Sequence, residues 1–451
     1  MTYLGLTPQD LLQPLSRVTP DGLGAELGTA PEEAVAERFA TAALSTLVEP
    51  GDSDAAVLVA ALGAAELLTA LVERWSADRL LAAANTNDAG AESALAVRGE
   101  KPNSSGDASA RVAEALQRWR PRLSMRTAFA ALDSAAHVGA ALVTPKDVLW
   151  PTGFGDLGEG APLALWVRGD PANLRAVNRS IALVGARAST GYGEHVAMES
   201  AAGLADRGFA VVSGGAYGID GAAHRATLAS DQTTIAFLAG GVDRLYPSGH
   251  TELLTRITRS GLLIGELPCG SSPTKWRFLQ RNRLIAAASR ATVVVEAGRR
   301  SGSLNTAGHA AAIGRPLGAV PGPVTSPASA GCHRLIQEYG AACVTSAAEM
   351  AELAGIALDA DTPLNDGTGA VRSSAERDES VRLLDALSFR SPRSVGEIAA
   401  LAGMSEREAS AVLGHLELER LVGERDGAWC KLRVGEPDGN RPKSEGAGKP
   451  G

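Results

Sequence analysis

Aromatic side chains make up only 4% of this 451-residue chain, so any place where two of them sit together carries unusual weight. Cysteine is scarce as well: Cys269, Cys332, Cys343 and Cys430 form no CxxC pair, and none of the seven histidines stands at a metal-ligating spacing. Cys332-His333 comes nearest, but adjacent residues rarely chelate one ion unaided. Reduced thiols, no metal, no cofactor and no structural disulfide are therefore expected. No run approaches the roughly twenty apolar residues of a bilayer span, and residues 1–13 lack the cationic flank and apolar core of a secretion signal, so a cytoplasmic chain without membrane contact is expected. Positive charge is in deficit, with 43 Lys and Arg against 51 Asp and Glu. What is abundant is alanine, glycine and apolar surface: at 45% hydrophobic the chain can bury a large core and fill two or three domains.

One window runs against the acidic balance. Between Leu267 and Val295 stand Lys275, Arg277, Arg281, Arg283 and Arg290, interleaved with Trp276 and Phe278 and interrupted by no carboxylate. Cations spaced by rings suit a nucleic-acid strand, because the cations neutralise phosphates while a ring offers a stacking face to any base. The plainer alternative is a solvated loop followed by a helix whose arginines pair with acids elsewhere.

The setting is a β-α alternation. Residues 180–184 (SIALV) end at Gly185, and a glycine-containing loop leads into a helix-like stretch at 194–207. Residues 209–213 (FAVVS) repeat the arrangement, with the turn Gly214-Gly215-Ala216-Tyr217-Gly218 leading into 219–229. Such turns point backbone N–H groups at an anion, or they simply let the chain reverse. Further apolar runs of strand length at 233–238, 261–266, 291–296 and 316–320 indicate a parallel sheet covered on both faces. Ligands of such sheets bind beyond the carboxyl ends of the strands, where the Gly185 turn, the Gly214 turn, the arginine window and the loop from Glu296 to Ser303 all converge. A dinucleotide would call for an acid at the end of the second strand, which closes on Ser213-Gly214 instead. A polymer of phosphates fits better.

Asp220 and His224, four apart on one helical face, read as an acid-base pair or, in preference, as a cap bonded to a neighbouring loop. Glu296 is a candidate to orient Arg281 or Arg283 by a salt bridge. Ser301 and Ser303 have no adjacent base and read as hydrogen-bond donors. No catalytic group is expected.

Taken together, Leu165-Trp166-Val167-Arg168-Gly169-Asp170, Val184-Gly185-Ala186-Arg187, Ser213-Gly214-Gly215 with Gly218-Ile219-Asp220 and His224, Tyr246-Pro247, Arg281-Asn282-Arg283, Ser301-Gly302-Ser303 and Pro321-Gly322 with Gly331-Cys332 resemble the DNA-processing protein A (DprA, also called Smf) family, in order and spacing over residues 163–336. The resemblance implies an extended Rossmann-like domain that binds single-stranded DNA, forms a homodimer and helps load the RecA recombinase in natural transformation or related recombination. It also implies that Gly185, Arg187, Gly214, Gly215, Gly218, Lys275, Arg277, Phe278, Arg281, Asn282, Arg283, Ser301, Gly302, Ser303 and Thr306 form the DNA-binding site. This chain departs from the family at Leu279, where proline is frequent, and at Tyr217, where arginine is frequent. The competing reading is a nucleotide-processing enzyme of phosphoribohydrolase type, whose phosphate loop is followed by a catalytic glutamate; the corresponding stretch here, 303–308 (SLNTAG), has no acid.

The flanks complete an α/β architecture. Residues 1–31 read as an extension of no fixed structure. Residues 32–150 read as a helical N-terminal domain, with helices at 32–47, 55–71 and 110–123 and a mobile loop at 85–108; the Rossmann-like domain is expected over 151–356. An acidic linker at 357–374 precedes a winged helix at 375–434, with helices at 379–387, 394–402 and 405–420 and a hairpin turning at Asp426-Gly427, followed by a disordered tail. The last of these helices, the second of the helix-turn-helix, carries Glu406, Glu408, Glu417 and Glu419 against Arg407 and Arg420, which favours a protein contact over duplex readout.

Overall fold

The apolar runs become neighbours in one sheet. The computed structural model describes residues 2–20, 24–87, 91–96, 108–355, 383–384, 386–388, 391–402, 406–418, 421–425 and 427–432. Its strands are β1 (Ala140–Val143), β2 (Leu165–Gly169), β3 (Ser180–Gly185), β4 (Ala210–Ser213), β5 (Thr234–Leu238), β6 (Leu262–Gly265), β7 (Ala291–Glu296), β8 (Leu317–Ala319) and β9 (Ala342–Cys343), in the order β1-β2-β6-β5-β4-β3-β7-β8-β9. All pairings from β6 to β9 are parallel, as the alternation predicts. The edge corrects that expectation: β1 pairs with β2, and β2 with β6, antiparallel. Neither strand follows a crossover helix, so nothing imposes the parallel sense on them.

Strand residues alternate between two helical layers. On one face, Ile181, Leu183, Val211 and Val293 pack with α10 (Gly191–Ala205), α11 (Ile219–Ala229) and α16 (Ala347–Leu353). On the other, Ala182, Val184, Val212, Phe237 and Val294 form a core with residues of α13 (Lys275–Ala288), α14 (Ser303–Ala312) and α15 (Ala330–Glu338).

The N-terminal helices extend the first of these layers. They are α1 (Pro8–Ser16), α2 (Gly24–Thr29), α3 (Glu32–Ser45), α4 (Ser53–Leu62), α5 (Ala64–Val72), α6 (Ala77–Asn87), α7 (Ala91–Ala96), α8 (Ala108–Trp119) and α9 (Met125–His137). Their buried residues share a single cluster with Leu142, Trp166, Ala236, Leu238 and Leu263 of the sheet and with Leu254 and Ile257 of α12 (Thr251–Ser260).

Three expectations change here. Residues 1–31 are not a structureless extension among the described residues: Thr7 and Asp10 close a reciprocal capping box on α1, which buries Leu11 and Leu15. The single helix read at 55–71 is two, bent by 108° at Gly63, whose φ of +84° ends one helix where the next begins. The stretch expected as a mobile loop carries the end of α6 and all of α7, with Ala91 and Leu95 buried; residues 88–90 and 97–107 lie outside the described residues. No single described helix is long and apolar enough to cross a membrane.

The described residues between 383 and 432 belong to a second compact unit. In it α17 (Val395–Ala402) and α18 (Glu406–Leu418) pack with a hairpin of β10 (Val422–Arg425) and β11 (Ala428–Lys431) around Leu383, Ile398, Leu413 and Trp429. The expected linker at 357–374, most of the helix at 379–387 and the tail from 435 lie outside the described residues.

Candidate nucleic-acid interface

β3 and β7 are adjacent and parallel, and from them the chain winds outward in opposite directions, to β4, β5 and β6 on one side and β8 and β9 on the other. That is a topological switch point, and a crevice opens beyond the carboxyl ends of the two strands. It holds a cleft of 760 Å³ whose lining includes Gly185 and Arg187 after β3, Lys275, Phe278, Arg281 and Asn282 on α13, and Ser301, Gly302, Ser303 and Thr306 around the start of α14. The structure thus gathers ten of the fifteen residues singled out from the sequence. Helical spacing accounts for the α13 group. Thr274 caps the helix by accepting from the Arg277 N–H at 3.3 Å, and Lys275, Phe278 and Arg281–Asn282 then recur at three and four along one face.

Phe278 organises the cations rather than standing open to a base. The Arg187 guanidinium lies 4.9 Å from the ring centroid and that of Arg281 5.7 Å, while the Tyr246 ring packs at 5.6 Å. Arg187 is exposed, and Arg281 is 6% exposed.

Arg281 is held from below. Its Nη1 donates to the carbonyls of Gly214, at 2.8 Å, and of Phe237, and its Nε donates to Asn282 Oδ1 at 3.2 Å. Burial pushes its pKa down to about 10, Asp220 opposing the fall and Arg187 adding to it; the group remains a cation at neutral pH. Asp220 is buried, and desolvation raises its pKa against the pull of Arg281 and of its hydrogen bonds. Its Oδ2 accepts from the N–H groups of Gly214 at 3.1 Å and Ala216 at 3.4 Å, so it ties the glycine turn rather than forming an acid-base pair with His224. His224 bonds instead to Thr234 Oγ1 at 2.7 Å.

Five of the fifteen residues do not line the cleft. Arg283 is enclosed in a two-bond ion pair with Glu266 and donates to the Gly160 carbonyl, and Arg277 makes a two-bond pair with Glu49. Both correct the expectation of contact with a strand: each guanidinium faces a carboxylate that the sequence holds far away or on another element. Gly214, Gly215 and Gly218 shape the floor. A Cβ on Gly214 would stand 2.5 Å from both Arg281 terminal nitrogens, and Gly218, at φ +73°, passes against the Ala186 carbonyl. These turns do not aim free N–H groups at an anion, because Asp220 takes the Gly214 and Ala216 N–H groups, and Glu296 accepts from Thr190 N at 2.8 Å and Thr190 Oγ1 at 2.7 Å at the start of α10. Glu296 therefore caps a helix and orients neither arginine. The start of α14 has no side-chain cap, and it opens on the cleft through Gly302, Ser303 and Thr306.

The sequence reading missed Arg300, exposed on the lining, and the part Tyr246 plays there. Arg300 follows a strand end in a loop with Gly298 and Gly302, a signal that was available but lay outside the arginine window. The hydroxyls of Ser301 and Ser303 bond to each other at 2.8 Å, and all four cysteines are free. Among the described residues no three His, Cys, Asp or Glu side chains gather as a metal site.

A doubly wound sheet with a cationic crevice at its switch point defines an extended Rossmann-like domain built to hold anions. Residues 141–355 match the family model for DNA recombination-mediator protein A, and residues 370–428 match the DprA winged helix domain. The chain belongs to the DNA-processing protein A (DprA/Smf) family. It is 49% identical over 310 residues to the putative DNA processing protein DprA of Mycobacterium tuberculosis H37Rv, covering 66% of this chain and 78% of that one. To protein Smf of Escherichia coli K12 it is 40% identical over 192 residues, 42% of this chain and 50% of that one. The X-ray structure of DprA from Streptococcus pneumoniae superposes with a TM-score of 0.50 at 28% identity, covering 70% of this chain and 96% of that one. The role that follows is DNA processing in recombination.

Proposed function

We propose that the cleft binds the backbone of single-stranded DNA without sequence preference, protects incoming DNA and assists loading of RecA recombinase in natural transformation or related recombination. In this reading the protein works in the cytoplasm as a homodimer and catalyses no bond-making. One observation carries it: Arg187, Lys275, Arg281 and Arg300 converge on a cleft whose one acidic lining residue, Asp220, is turned to the backbone of the Gly214 turn. Cations at the rim of an acidic chain raise the local concentration of a polyanion, and release of its counterions supplies affinity. The phosphoribohydrolase alternative needs a carboxylate after the phosphate loop, and residues 303–308 offer none. Arg187, Lys275, Phe278, Arg281, Asn282 and the Ser301–Thr306 segment are the proposed contacts; Arg277, Arg283 and the three turn glycines hold the site's shape.

The test is fluorescence anisotropy of a labelled thymidine homopolymer over a salt series. Wild-type protein should bind with a steep salt slope, and Arg187→Ala should bind more weakly with a slope shallower by about 0.7, the value for one phosphate contact on a single strand. Equal affinity and slope for the two proteins would refute the assignment. A strand-exchange assay with the host's own recombinase tests the loading role.

A further inference from the structure

A second arginine run lies in the helical region. Arg118, Arg120, Arg122 and Arg126 stand between Glu114 and Asp133 with no acid among them. The end of α8, the turn at Arg120–Arg122 and the start of α9 carry them. Glu49 joins this turn to α13, accepting from Arg122 at 3.0 Å and Arg277 at 2.8 Å.

Trp276 stands at this junction and is 57% exposed, the most exposed aromatic side chain among the described residues. With Arg118, Trp119 and Arg122 it borders a hollow of 400 Å³, separate from the cleft. Its neighbour Lys275 lines the cleft, so the two depressions meet at consecutive residues of one helical turn. The acids of the hollow are engaged: Asp52 accepts from Arg118 and from the Trp119 indole, and Asp54 from Arg118 and Arg111. A bare indole one residue from Lys275 of the cleft suits an unpaired base, because stacking accepts any base.

We propose that a single strand leaving the cleft past Lys275 continues onto the helical region, stacking one base on Trp276. This rests on the reading of the cleft as a single-strand site and extends it by a subsite that only a longer strand reaches.

The test compares two thymidine oligomers, one of about six nucleotides that fills the cleft and one of about sixteen that can run on, within the range of known single-strand site sizes. Trp276→Ala should weaken the longer oligomer by roughly fivefold to a hundredfold, the equivalent of one lost stack, and leave the shorter one unchanged. Trp276→Phe should restore part of the loss. Thermal unfolding of each variant separates a binding loss from a folding one. The proposal is overturned if Trp276→Ala binds the longer oligomer like wild type, if both lengths weaken equally, or if the variant changes only the sedimentation of the free protein, which would make the ring a self-association contact. Wild-type protein that binds neither oligomer sinks the cleft reading as well, and Arg187→Ala, expected to weaken both lengths, tells the two failures apart.

Discussion

Arg283 and Glu266 close a two-bond ion pair, at 2.7 and 2.8 Å, two residues along α13 from Arg281, which forms no ion pair within 4 Å among the described residues. Adjacent members of one Arg-Asn-Arg motif thus do opposite jobs. One guanidinium is spent on the fold; the other keeps its charge directed at the cleft.

Arg283→Ala should destabilise the protein by about 3–5 kcal/mol, since it strands the Glu266 carboxylate where both side chains are largely buried. Urea unfolding measures the loss. In protein that remains folded, the salt slope of DNA binding should match wild type.

Arg187→Ala and Arg281→Ala should differ in kind. Arg187 is exposed and rests on the Phe278 ring, so its removal should lower affinity and leave the unfolding midpoint in place. Removing Arg281 also leaves the Gly214 and Phe237 carbonyls and buried Asp220 without their partner, and should lower both affinity and midpoint.

Gly214→Ala tests how tightly the floor is built. The new methyl would meet the pinned Arg281 guanidinium at 2.5 Å, and overpacking of this kind costs roughly 1–3 kcal/mol. Titration calorimetry with a thymidine oligomer should show weakened binding, since the displaced guanidinium belongs to the proposed contact set.

His224 should shape the acid limb of stability. Thr234 Oγ1 donates to the Val211 carbonyl at 2.9 Å, so His224 Nδ1 carries the proton in their shared bond, and Nε2 is buried with no partner. Burial, with His250, Arg281 and Arg225 nearby, holds the imidazole pKa down to about 3 from the ordinary 6.5. Only the unfolded chain takes up this proton between those values. The contribution is therefore complete above pH 6.5 and is lost as pH falls toward about 3. His224→Gln should flatten unfolding free energy against pH by about one proton in that window. An imidazole that NMR finds titrating near 6.5 in the folded protein would overturn this.

The parallel core was legible because β-branched and apolar runs alternate with helical stretches, and the cleft because glycine turns and cations cluster at strand ends. What escaped were long-range pairings. Nothing near Arg283 announces Glu266, and nothing near Arg277 announces Glu49, which is 228 positions away in the chain. Gly63 was read inside a helix because the apolar spacing continues through it; only its positive φ reveals the bend. Residues 1–31 looked shapeless because their buried side chains, Leu11, Leu15, Val18 and Leu27, lean on helices that begin later. Arg187 and Phe278 were each singled out, yet their stacking depends on the loop after β3 meeting the first turns of α13, which no local pattern encodes.

Pairing of β1 with β2 bears on how the molecule can be dissected. A fragment starting at residue 151, where composition suggests a boundary, would strip β2 of its outer neighbour and uncover Trp166 together with the wall of leucines behind it. Such a fragment is expected to clump through its raw margin, whereas one that retains the whole amino-terminal half keeps that margin sealed.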